Sequence, residues 1–135
     1  MRRKTLTFGD YAAASREDAQ NGYVPSMLNC FKEMENLASK EPSMQKSLSD
    51  LKREIEPIAY RTAISKLIVE SIRSGKESHG SNGTTKQLLE AAVGYASHMD
   101  DIGYSSGIEA NVRNVVNGVN RYLCHLRNLY YRRIR

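Results

Sequence analysis

The sequence predicts an all-α protein: a helical bundle of four to five helices, preceded by a basic N-terminal arm and a polar N-terminal helix. Three observations lead there. Apolar residues recur at spacings of three and four in nearly every segment, as in Met27, Phe31, Met34 and Ala38. No segment reads as a strand, and no repeat of 20–50 residues is evident. The helix breakers fall between the periodic stretches, at Gly22, Pro25, Pro42, Pro57, Gly75 and in "GKESHGSNGTTK". A length of 135 residues makes one domain the default, and 40% hydrophobic with 26% charged residues is ordinary for a folded globular chain.

Each element has its own warrant. "GDYAAASREDAQNG" has alanines that favour helix, Asp10 to cap its start and Gly22 to end it. Tyr11, Ala12 and Ala14 make no wide apolar stripe, so this helix needs a partner to be stable. In "VPSMLNCFKEMENLASKE", Pro25 suits a first turn, and Cys30 and Leu37 flank the Met27–Ala38 face. Pro42 opens the next helix, with Met44, Leu48, Leu51 and Ile55 at spacings of four, three and four. Pro57 is expected to end or kink it near Glu56.

The period resumes at Ile58 and continues through Ile64, Leu67, Ile68 and Ile72, with Gly75 expected as the C-terminal cap. After the loop, Thr84 with Gln87 fits a capping box. The stripe Leu88, Ala92, Tyr95 and Met99 follows, with Leu89, Val93 and Ala96 beside it. Ser106 with Glu109 reads as a second capping box. The last helix carries a broad apolar face of Ile108, Val112, Val115, Val116, Val119, Tyr122, Leu123, Leu126, Leu129 and Tyr130, so its end is expected to be packed. Between those residues Asn111, Asn114, Asn117 and Asn120 recur every three. The core is expected between residues 25 and 130, with residues 1–24 as arm and polar helix and 25–135 as the bundle.

Charge is distributed unevenly. Residues 1–4 hold Arg2, Arg3 and Lys4, and residues 110–135 hold Arg113, Arg121, Arg127, Arg132, Arg133 and Arg135 with no acid. Residues 5–109 hold eleven basic and fifteen acidic residues, a net of −4. A mildly acidic body with two basic ends points to a polyanionic partner. The alternative is that the arginines only solvate a helix face.

Enzyme chemistry finds no footing. His79 sits in the loop, and His98 near Asp100 and Asp101 lacks converging spacing for a metal. No nucleophile elbow, Gly-rich phosphate loop, HExxH or ExxH spacing is present. No catalytic residue, metal site or cofactor is therefore expected. Cys30 and Cys124 make no disulfide framework and read as buried free thiols. No stretch is long and apolar enough to cross a membrane, and "MRRKTLTFGD" lacks the apolar region of a secretory signal. Assembly inside a cell is the expectation.

The opening "MRRKTLTFGDYAAAS", the polar first helix and the all-helical body together resemble the major capsid proteins of filamentous archaeal viruses. The likeness is to lipothrixvirus coat proteins and, more distantly, to those of rod-shaped rudiviruses. It covers the layout of the whole chain, but in wording only about the first fifteen residues. It implies a non-enzymatic virion protein, assembled in the host cytoplasm, that coats linear double-stranded DNA held in A form within a helical filament. It also implies a second, related coat protein as heterodimer partner, contacts with neighbouring subunits, and a lipid envelope in the lipothrixvirus case. By position it makes Arg2, Arg3, Lys4 and Arg16 the DNA-binding residues, with Tyr11 nearby. The six C-terminal arginines have no counterpart in it and serve either DNA or an adjacent subunit. Asn21-Gly22, Asn82-Gly83 and Asn117-Gly118 run against a hot habitat, the loop pair at 82–83 having no evident shelter. Two other functions fit the residues: a small helix-turn-helix-like regulator around "DDIGYSSG", and a helical protein–protein adaptor.

Overall fold

A computed structural model describes residues 5–133. It is all-helical: α1 (Phe8–Asn21), α2 (Val24–Ala38), α3 (Pro42–Glu77), α4 (Gly83–Asp101) and α5 (Ile108–Arg133), with no strand among the described residues. The helices gather into two compact units, one up to Thr62 and one from Ala63 onward, so that α3 contributes to both.

The first unit contains α1, α2 and the first part of α3. Thr7, not Asp10, is the N-cap of α1. Thr7 Oγ1 accepts from the Asp10 amide at 3.1 Å, while the Asp10 carboxylate accepts from the Thr7 amide at 2.9 Å. Asp10 thus takes the third helical position of a capping box, where its charge also suits the helix dipole. Gly22, at φ 72°, closes the helix, with the Tyr23 amide donating to the Asp18 carbonyl at 2.9 Å. The polar α1 obtains its partner through small residues: Ser15 and Ala19 are buried, and Ser15 satisfies its hydroxyl on the Ala12 carbonyl at 2.8 Å. The face Met27, Phe31, Met34 and Ala38 is buried as its spacing predicts, together with Leu48, Leu51 and Ile55 of α3. Leu37 is exposed.

Of the two outcomes expected at Pro57, an end or a kink, the end does not occur: α3 runs on through it to Glu77. A proline inside a helix costs about 3 kcal/mol through its missing N–H and its clash with the preceding turn. Buried Leu51 and Ile55 on one side of it and Ala59, Tyr60, Ala63 and Ile64 on the other outweigh that cost by packing.

The second unit contains the rest of α3 with α4 and α5. Its core holds Leu89, Val119 and Leu123, with Ile68, Ile72, Val116 and Leu126 packed against them. Gly75 is not a cap. It lies within α3, where an added Cβ would fall 2.5 Å from Cδ2 of Leu123. The helix ends at Glu77 instead, and the chain turns off through His79: the His79 amide donates to the Lys76 carbonyl at 3.3 Å and that of Gly80 to the Gly75 carbonyl at 2.8 Å. These are the paired bonds of a Schellman ending, with a histidine at φ 58° in the position glycine usually holds.

Asn82, not Thr84, caps α4, its Oδ1 accepting from the Thr85 amide at 2.8 Å. Its Nδ2 donates to Ser78 Oγ at 2.7 Å and Ser74 Oγ at 3.3 Å. The Asn82-Gly83 pair therefore has the shelter its loop sequence did not suggest. The buried line on α4 is Leu89, Ala92, Ala96 and Met99, rotated by one residue from the Leu88–Tyr95 stripe. The small alanines lie on the inner side and Tyr95 on its border.

Asp100, not Ser106, caps α5. Its Oδ1 accepts from the amides of Gly107 and Ile108, both at 3.2 Å, and its Oδ2 from that of Glu109 at 3.0 Å. The apolar face of α5 is covered only in part. Val112, Val119 and Leu123 are buried, whereas Val115, Leu129 and Tyr130 are exposed, so the last turns are less packed than expected. Cys124, expected inside, is exposed, and Cys30 is half-buried. Burial first, and the nearby Asp18 carboxylate second, push the Cys30 thiol above its ordinary pKa.

Candidate nucleic-acid interface

The described cations of interest fall into two chemical states, paired and unpaired with a carboxylate. Arg2, Arg3, Lys4 and Arg135 lie outside the described residues. Arg16 and Arg113 are paired to carboxylates. Arg121, Arg127, Arg132 and Arg133 have no carboxylate within ion-pair distance among the described residues.

Arg16 makes a two-pronged contact with Glu54 of α3, at 2.8 and 3.2 Å. The hydrogen bond, and then the charge, of that guanidinium hold the Glu54 carboxyl below its ordinary range and raise Arg16 further. Both side chains are about half exposed, so the pair contributes little to stability. Its effect on the surface field is larger, because Arg16 arrives already neutralised. Tyr11 is half-buried on the same helix. Arg113 is likewise compensated, reaching Glu109 one turn earlier at 3.1 Å.

The end of α5 is different. Arg127 lies 5.6 Å from the ring centroid of Tyr131, and its Cβ would be 3.1 Å from a Cβ on Gly80. His79 stacks on Tyr130 with centroids 4.0 Å apart and planes 5° from parallel. Tyr131 meets Tyr130 edge-on at 5.6 Å. Lys76 stands 5.9 Å over the Tyr122 ring. Lys76, His79, Tyr122, Tyr130 and Arg133 border a groove of about 310 Å³ together with Leu126 and Leu129. Rings with polar handles hold cations in place while leaving their charge available to an anion.

The sequence named the arginines but not Lys76 or His79 as their neighbours. Both sit at the end of α3, and only the fold brings that end beside the last turns of α5. The signal in the sequence was "GKESHG" itself, a cation and an imidazole placed where a helix stops.

Among the described residues no group of His, Cys, Asp and Glu is arranged to hold a metal ion, and no helix is long and apolar enough to cross a membrane. The cations and rings at the end of α5 can meet an anion by charge, hydrogen bonds and ring contacts. No family model matches the chain, and neither a curated protein nor a solved structure is similar to it.

Proposed function

We propose that the chain is a structural, non-enzymatic protein that coats and packages linear double-stranded DNA without sequence preference in a helical filament. The observation that carries this reading is the set of exposed arginines on α5, Arg121, Arg132 and Arg133, which no described carboxylate neutralises. They belong to a stretch, residues 110–135, with six arginines and no acid. Guanidinium contacts to phosphate fix position and orientation without reading bases. Arg2, Arg3 and Lys4 add three more charges at the other end of the sequence. The resemblance to filamentous-virus coat proteins supports the same reading. With it come a virion location after assembly in the host cytoplasm, a related coat protein as partner, contacts between subunits and a surrounding lipid envelope.

The test is a titration of linear duplexes of unrelated sequence across a salt series, followed by footprinting and negative-stain microscopy. With Arg113 paired, the eight remaining end cations set a ceiling of about −7 on the logarithmic salt slope. The expected result is equal affinity for every sequence, continuous protection and filaments that form on DNA. A discrete protected site would instead favour a regulator. Binding to no duplex at any salt would favour an adaptor.

A further inference from the structure

We infer that the outward line of α5, formed by Asn114, Asn117, Arg121, Asn128 and Arg132, is a strip that tracks one sugar–phosphate strand of the duplex. The inference rests on the DNA-coating reading and assigns its contact surface.

The line follows from helix geometry. Asn114, Arg121 and Asn128 are seven residues apart in turn, and Arg121 and Arg132 eleven. Seven residues are two turns and eleven are three, each to within about 20°. Asn117 is four before Arg121 and joins the same line. Arg121 is two residues from both Val119 and Leu123, the buried side, which puts it on the opposite face of the helix. All five side chains are exposed. From 114 to 132 the line is about 27 Å long.

Its chemistry is selective. No acid occurs on α5 after Glu109, and Glu109 is itself paired with Arg113. Asn114, Asn117 and Arg121 border one open depression together with Asn120. Amides at these positions serve no cap or turn, since α5 is continuous through them. Asparagine is a poor helix former, so four of them at intervals of three weaken α5 locally. Each offers two N–H donors to a phosphate oxygen without adding charge.

Asparagine and arginine also read adenine and guanine edges. Reading helices, however, concentrate three or four base-reaching residues near one end in the groove. Here the donors are spread along five turns, at gaps of three, four, seven and four residues, rather than gathered at one end. That spacing suits a strand followed lengthwise.

The two residue types make separable predictions. Arg121→Gln with Arg132→Gln should weaken duplex binding about tenfold and reduce the logarithmic salt slope by about 2, roughly one for each phosphate left without its arginine. Asn114→Ala with Asn117→Ala should weaken binding several-fold and leave the slope unchanged, because neutral donors release no counterions. Arg53→Gln, an exposed cation of the first unit, is the control and should change neither. Circular dichroism of each variant verifies the helix.

If the unaltered chain coats DNA and the arginine pair binds with the same affinity and slope, this strip is not the contact and the coating reading stands. A sequence preference abolished by Asn114→Ala would overturn the strip as well, by making it a base reader. If the unaltered chain binds no duplex, the coating reading fails and the strip fails with it.

Discussion

Gly75 lies flat against Leu123: a Cβ at position 75 would fall 2.5 and 2.6 Å from the two δ carbons of that leucine and 3.0 Å from its Cγ. Leu123 is fully buried, so any shift that makes room for a Cβ disturbs the packing around it. Gly75→Ala should therefore lower stability. Overpacking costs about 1–3 kcal/mol, offset by the roughly 1 kcal/mol that alanine gains over glycine inside a helix. Gly94→Ala is the contrasting case, since nothing lies within 4 Å of a Cβ there. It should stabilise by about 0.5–1 kcal/mol. Thermal unfolding of the two variants should move the midpoint in opposite directions.

Asp100 supplies both carboxylate oxygens to three consecutive amides at the start of α5. Asp100→Ala leaves those donors to water and removes a negative charge from the positive end of the helix. A cap of this kind contributes about 1–2 kcal/mol. Asp100→Asn, which keeps one acceptor oxygen, should recover part of the loss. Chemical unfolding should show a reduced midpoint with an unchanged slope, and hydrogen exchange should quicken at Gly107, Ile108 and Glu109. Equal stability of all three proteins would contradict the cap.

How much of this was legible in the sequence depends on what each feature needed. The helices and the Met27–Ala38 face were readable, because burial at fixed spacing leaves a period. Capping residues were misplaced by two or three positions at α1 and α4, since several polar residues at each start satisfy the local pattern. The cap of α5 was out of reach: Asp100 is seven residues before Gly107 and meets it only because "DDIGYSSG" folds back. Pro57 and Gly75 carry strong local signals that packing overrides. The paired state of Arg16 was equally hidden, since Glu54 lies 38 residues away. Of the outward line of α5, Asn114 and Asn117 stood out in the sequence, within the asparagines that recur every three residues. Their alignment with Arg121 and Arg132 needed the inner face to be known first.

The Arg16–Glu54 pair makes stability depend on pH in a definite direction. The Glu54 carboxyl is held below its ordinary value in the folded chain, so it binds a proton more weakly there than when unfolded. Its contribution is present above the unfolded value and is lost as pH falls through the folded one. Glu54→Gln should thus be slightly less stable than the parent at neutral pH and should converge with it in strong acid. The gap should shrink in high salt, as for any exposed pair. Midpoints that run parallel from neutral to acid pH would count against the pair. Arg16→Gln should give the same converging profile.

His79 holds a left-handed backbone conformation, φ 58°, while its ring stacks on Tyr130. A non-glycine residue there costs on the order of 1 kcal/mol, and a stacked pair contributes about 0.5–1.5 kcal/mol, so the two roughly balance. His79→Gly relieves the first and forfeits the second, and its net effect should be small. Tyr130→Ala removes the stack, and with it the edge-on contact to Tyr131, and should destabilise the chain by about 1 kcal/mol or more. Once Tyr130 is alanine, His79→Gly has no stack left to lose and should become stabilising by about 1 kcal/mol. The four proteins form a double-mutant cycle whose coupling should be about 0.5 kcal/mol or more. Additive effects would mean that the ring contact does nothing to hold His79 in its conformation, and that the paired carbonyl bonds of Gly75 and Lys76 suffice to end α3.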